Sequence, residues 1–260
     1  MSTSTPPLAK AVVTGHTRGL GAALAQTLLA RGIAVLGVAR TRHASQAQPA
    51  SHAPDASLRA RFGDAFDEAE VDLANTAQLT QWLAGDTLSR FLAGAERAFL
   101  LNNAGTVQPI GPAGLQAPAE VARAVALNVA APLMLSSAFA AASVDVPDRR
   151  IAHVSSGAAR NAYAGWSVYC ATKAALDHHA RAVTLDGEPG LRIASVAPGV
   201  VDTDMQAQIR GADDARFPSR QRFVELERTG QLSSPAQAAQ RFVDYLLSDA
   251  FGQTPTADVR

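Results

Sequence analysis

The chain has 260 residues, 47% hydrophobic and 18% charged, enough to bury the core of one α/β domain with nothing in the length requiring a second. Its 23 basic residues balance its 23 acidic ones, so no net charge favours nucleic acid or an anionic membrane as a partner. A lone cysteine, Cys170, excludes an internal disulfide framework, and there is neither a secretory leader nor a long uninterrupted apolar run; a non-spanning, cytoplasmic protein is expected.

In chain order, the apolar run AVVTG at 11–15 predicts a strand, 19–31 a helix and IAVLGVA at 33–39 a second strand. TRHASQAQPASHAPDAS, 41–57, has almost no large apolar side chain and predicts a mobile surface loop. A helix follows at about 75–93, a strand at RAFLLNN, 97–103, and a helix near 118–143. RIAHVSS at 150–156 and LRIASVAP at 191–198 read as strands, separated by a helix over 167–186. A last helix is expected over 234–248. Between strand and helix, 200–232 is irregular but carries Met205, Ile209, Phe217, Phe223 and Leu226, side chains that need something to cover; a substrate lid is expected there. Continuous apolar strands alternating with helices predict a doubly wound parallel sheet, helices on both faces, as a single domain over 1–260.

The first strand runs into TGHTRGLG, 14–21, and then a helix. Gly15, Gly19 and Gly21 there permit a tight turn, approach of backbone N–H groups to a pyrophosphate, and close helix–strand contact; a tight turn without a ligand is the alternative. In GWSVYCATKAALDHHARAV, 165–183, Tyr169 and Lys173 stand four apart, about 40° apart on one helical face, so an ammonium can sit beside a phenol. Taken alone, the spacing proves little, and the pair reads as an aromatic in the core and a lysine in water. His178 and His179 diverge by about 100° and cannot share a metal ion, and no metal is expected. Cys170 has no evident partner and reads as a packed small residue.

Together, TGHTRGLG, NNAG at 102–105, Asn128, Ser156, YCATK at 169–173 and PGVVDT at 198–203 resemble the short-chain dehydrogenases/reductases, over about residues 10–250. Ser156 precedes Tyr169 by thirteen residues and Asn128 precedes Ser156 by twenty-eight, the spacing of that family's catalytic tetrad. The resemblance implies a Rossmann-like fold and a carbonyl reductase. Tyr169 would then protonate the alkoxide left by hydride transfer, and Lys173 would lower the phenol's pKa and reach the nicotinamide ribose. Ser156 would polarise the carbonyl. Asn128 would hold the water that links the lysine to solvent.

The glycine loop, with Thr17, Arg18 and Leu20, is expected to carry the cofactor. At the end of the second strand, VARTR offers Arg40 and no carboxylate; with Arg18 it forms a clamp for a 2′-phosphate, so NADP(H) is expected. By resemblance, Asp72 and Leu73 contact the adenine, Asn103, Ala104 and Gly105 wall the adenosine, and Thr203 bonds the carboxamide, beside Pro198, Gly199 and Val201.

GWSVYC and APGVVDTDMQAQIR resemble the sepiapterin reductase and benzil reductase branch, whose members reduce one carbonyl of vicinal diketones or related side chains. Substrate contacts are expected at Ser156, Trp166, Tyr169, Gly199 and Met205. Asp258, seven residues after Phe251, matches the position of the aspartate that anchors a pterin. A general keto reductase of 3-oxoacyl thioesters or sugars would share every cofactor residue. A non-catalytic NADP(H) sensor could dispense with Tyr169 or Lys173. The expected partner is a small carbonyl compound, and the expected assembly a homodimer or homotetramer.

Overall fold

The computed structural model describes residues 8–41 and 58–260; beyond Thr41, the expected surface loop lies outside them. The order is β1 (Ala9–Thr14), α1 (Gly19–Ala30), β2 (Ala34–Ala39), α2 (Leu58–Phe62), β3 (Phe66–Glu70), α3 (Thr76–Leu83), α4 (Thr87–Leu92), β4 (Arg97–Asn102) and α5 (Pro118–Val125). It continues with α6 (Ala131–Ala142), β5 (Asp148–Val154), α7 (Ser167–Asp186), β6 (Leu191–Ala197), α8 (Asp204–Arg210), α9 (Arg220–Arg228), α10 (Pro235–Leu247) and β7 (Thr256–Asp258). The seven strands form one sheet in the order β3-β2-β1-β4-β5-β6-β7, with every neighbouring pair parallel. The order of strand addition reverses between β1 and β4, and the carboxyl ends of those strands open the crevice in which such sheets bind ligands.

Alternation along each strand divides the core. Val13 and Phe99 face one side with Leu24 and Leu28 of α1 and Phe242 of α10. Val12 and Leu100 face the other, with Leu79, Leu92, Leu135 and Phe139 from α3, α4 and α6. Burying a side chain such as Leu24 or Phe242 stabilises by roughly 1.5–3 kcal/mol.

Three departures from the sequence reading have local causes. The helix expected over 75–93 is two helices, broken after Leu83, with Asn75 capping the first through the Gln78 N–H. The expected 118–143 helix widens into a π turn at Ala126–Ala130. Pro132 has no N–H for the carbonyl four residues back, that of Asn128, and the turn opens there. Strands β3 and β7 were not expected: both are edge strands, and FDEAE buries only Phe66. Pro118–Ala142 is long and apolar enough, by length and composition, to cross a membrane. Its Ala131, Leu135 and Phe139 are instead buried against the sheet.

Candidate active site

Thr14, the last residue of β1, ties the glycine loop to β4. Its hydroxyl oxygen accepts the Asn103 and Ala104 N–H groups at 2.9 and 3.0 Å, while the Asn103 amide donates to the Thr14 carbonyl at 2.9 Å. Gly15 and Gly19 both have positive φ, 67° and 53°, and let the chain turn sharply into α1. A Cβ on Gly21 would lie 2.1 Å from the Gly15 carbonyl oxygen and 2.4 Å from the Asn103 amide nitrogen. α1 has no side-chain cap, so its first N–H groups are open, and a diphosphate fits that helix end. Sequence reasoning missed His16 beneath the loop, fully buried with Nε2 2.7 Å from the Glu68 carboxylate on β3.

Helix α7 buries Tyr169 and Lys173 on one face. The Lys173 ammonium donates to the Val154 carbonyl at the end of β5 at 2.7 Å and lies 5.8 Å from the centre of the Tyr169 ring. Two residues beyond Val154, the Ser156 oxygen accepts the Ala158 N–H at 3.1 Å, which leaves its O–H free to donate toward the Tyr169 phenol. Asn128, in the π turn, accepts the Thr106 N–H at 2.9 Å and donates to Thr106 O and to the Thr172 hydroxyl at 2.8 and 3.1 Å. Asn128 and Lys173 converge on Gly105, where a Cβ would stand 3.3 Å from Asn128 Oδ1 and 3.6 Å from Lys173 Nζ.

The electrostatics correct one expectation. Burial pushes the Tyr169 phenol up, the Ser156 hydrogen bond acting against it, so the pairing with Lys173 does not leave the phenol below its ordinary value. The reason is the wall around it. Trp166 packs edge-on to Tyr169 at 5.3 Å between ring centres, stacks on Phe217 at 4.4 Å, and lies 5.5 and 5.3 Å from Tyr163 and Phe223. Burial also lowers Lys173 to about 8, opposed by the Asp177 carboxylate.

One cleft of about 1100 Å³ joins these parts. It is lined by Arg40, Asp72 and Leu73 at one end, the glycine loop with Thr17, Arg18 and Leu20, then Asn103 to Gly105, Ser156, Tyr169 and Lys173. Pro198, Gly199, Val201, Thr203, Met205, Trp166 and Asp258 complete it. Of the residues expected in catalysis, cofactor binding and substrate contact, only Asn128 stands behind the cleft surface, 1% exposed. Charged groups in the cleft are already engaged: Arg18 faces Asp204 at 3.3 Å, Asp72 lies 3.7 Å from Arg123, and Asp258 accepts the Arg260 N–H and guanidinium at 3.1 and 2.9 Å. Among the described residues no cluster of three or more His, Cys, Asp or Glu could hold a metal ion. His179 instead lies 3.0 Å from His153.

The family model for short chain dehydrogenase matches residues 9–214. A crystal structure of a short-chain dehydrogenase/reductase from Burkholderia vietnamiensis is 53% identical, with a TM-score of 0.69 covering 98% of this chain and 99% of that one. Benzil reductase ((S)-benzoin forming) of Bacillus cereus is 31% identical, over 93% of this chain and 95% of its own length. Sepiapterin reductase of Meriones unguiculatus is 34% identical, over 92% of each chain. The chain therefore belongs to the short-chain dehydrogenase/reductase family, oxidoreductases that bind a nicotinamide cofactor and act on C=O and CH–OH groups.

Proposed function

We propose that this chain is an NADPH-dependent reductase of one ketone of a vicinal diketone, of the benzil type. The observation that carries the reading is the aromatic lining that Trp166 and Phe223 give the cleft beside Tyr169, backed by the buried Phe217, against which an aryl ketone can pack. A pterin would need both oxygens of Asp258 as a paired acceptor, and one of them, Oδ1, is bonded to Arg260.

In this reading the nicotinamide, when bound, supplies the hydride. The open N–H groups of α1 and the glycine loop would hold its diphosphate, and Lys173 would hold the ribose hydroxyls. Ser156 donates to the substrate oxygen as negative charge develops there, and Tyr169 gives that oxygen its phenolic proton. Asn128 fixes the Thr106 backbone and the Thr172 hydroxyl behind Lys173. The stretch 200–232, whose Phe217 and Phe223 pack on Trp166, acts as the substrate lid. A cytoplasmic location is part of the same proposal, and so is a homodimer or homotetramer, the assembly being supported by the partly exposed apolar groove of Val121, Val125 and Val168 between α5 and α7.

The test is NADPH oxidation with benzil, simple diketones, sepiapterin and an acetoacetyl thioester. Benzil and diketones should turn over fastest; activity confined to the thioester would mark a general keto reductase. NADPH binding without any turnover would mark a sensor.

Cofactor choice has its own test. Arg40 is exposed at the end of β2, lining the cleft. A charge-assisted bond to a 2′-phosphate contributes about 1.5–3 kcal/mol, so Arg40→Ala should raise the KM for NADPH roughly ten- to a hundredfold and leave that for NADH almost unchanged. Equal effects on both would mean that Arg40 does not read the phosphate.

A further inference from the structure

Asp177 is a buried carboxylate, 3% exposed, with no part in the chemistry above. It stands one helical turn beyond Lys173 on α7, so the two side chains share a face. Its oxygens are fully engaged from three other elements. Oδ1 accepts the hydroxyls of Ser155, next to Ser156, and of Ser195 on β6 at 2.8 and 2.7 Å. Oδ2 accepts Nε of Arg160 at 2.9 Å. Arg160 closes the short turn that Ser156 opens, and its other arm reaches the Ala257 carbonyl of β7 at 3.4 Å.

A buried carboxylate costs several kcal/mol unless it is paired; here Arg160 pairs with it directly, and the Lys173 ammonium, one turn back on the same face of α7, lies within its electrostatic reach. The remaining polar groups around the pair carry no charge that competes. His153 on β5 is held neutral by burial, at about 3, Ser155 and Ser195 are hydroxyls, and Asn128 and Tyr169 are neutral.

We infer that Asp177 is a positioning residue of the active site: it clamps the turn that carries Ser156 onto the helix that carries Tyr169, and it is the counter-charge of the Lys173 ammonium. Both roles run through one side chain. The inference rests on Tyr169, Lys173 and Ser156 being the reducing centre, and its first test needs no substrate.

The chain contains only two lysines, Lys10 and Lys173. Protein grown on lysine labelled at Cε therefore gives two side-chain resonances, assigned with Lys10→Arg, and Lys173 can be titrated directly. In Asp177→Asn the amide can still accept the two serine hydroxyls but loses the charge and turns a donor toward Arg160. The Lys173 midpoint should fall by about one pH unit, because an opposite charge at close range raises an ammonium by that order. In Arg160→Met the carboxylate loses its other cation, and the Lys173 midpoint should rise. A brace with only a structural role would not move the two in opposite directions.

The second readout is kcat against pH with whichever ketone the parent reduces best. The alkaline limb should shift with the Lys173 midpoint in each variant, and Asp177→Asn should lose about tenfold or more in kcat at neutral pH with the KM for NADPH changed less. A cooperatively folded Asp177→Asn with the parent's Lys173 midpoint overturns the inference. If that variant does not fold, an unchanged midpoint in Arg160→Met overturns it. A parent that reduces no ketone at all, while its Lys173 midpoint still moves as stated, refutes the proposed function and leaves the electrostatic clamp standing.

Discussion

Tyr169→Phe is expected to lower kcat for ketone reduction by at least about a hundredfold, and up to roughly ten-thousandfold, while NADPH binds as in the parent. The ring is what packs on Trp166, so phenylalanine keeps the aromatic cluster and the melting temperature. Only the proton donor is lost. Ser156 and Lys173 remain and can still orient a carbonyl, so KM for the ketone should change far less than kcat. Burial raises the phenol in the protein alone, which keeps it protonated and ready to donate at neutral pH. Lys173, at about 8, loses its charge above that pH, so the parent's reduction rate should decline on the alkaline side as the ammonium disappears. Wild-type turnover in Tyr169→Phe would remove Tyr169 from the mechanism.

Gly21→Ala is the second large effect, and it falls on both fold and cofactor. The new methyl would stand 2.1 Å from the Gly15 carbonyl oxygen and 2.8 Å from its carbon, backbone atoms that no rotamer change can move. It would also press on the Asn103 amide, whose bond to the Thr14 carbonyl ties the loop to β4. Helix α1 must therefore back away from the turn. Such overpacking costs about 1–3 kcal/mol or more, and the phosphate cradle loses its shape with it. The expectation is a melting temperature lowered by several degrees and NADPH affinity reduced on the order of a hundredfold. Gly114→Ala is the control: a Cβ there meets nothing within 4 Å, and neither quantity should change. NADPH binding to Gly21→Ala with the parent's affinity would contradict this account of the loop.

What could be read from the chain depended on whether one element carried the signal. The buried central strands declared themselves as apolar runs, and β1, β2, β4, β5 and β6 stand within a few residues of their expected places. The edge strand β3 did not, because FDEAE has one covered residue and reads as a polar turn. The residues of the proposed tetrad were picked out by spacings that match the family's, and the structure places Tyr169 and Lys173 on one helix and Ser156 at a strand end in the same cleft. Asp177 had a local signal too, its turn-length offset from Lys173, but its partners Ser155, Arg160 and Ser195 meet only in three dimensions. The direction of the Tyr169 shift was misread for the same reason: helical spacing reveals the neighbouring ammonium but not the aromatic wall from 163–223. Arg18 was legible as a cation beside the cofactor loop, whereas its pairing with Asp204 depends on where the chain returns after β6.

The apolar cluster of Trp166, Tyr169, Phe217 and Phe223 shares no residue with either cluster that flanks the sheet. Within a lineage, drift in α8 and α9 can therefore alter which ketones enter while the frame and the dinucleotide cradle stay intact. Tyr169, the proposed general acid, is itself a member of that cluster, so under that proposal such drift is not silent toward the reaction. A branch that changes substrate by repacking these rings must readjust its proton donor at the same time, and its intermediates will differ from the ancestor in turnover before they differ in heat tolerance.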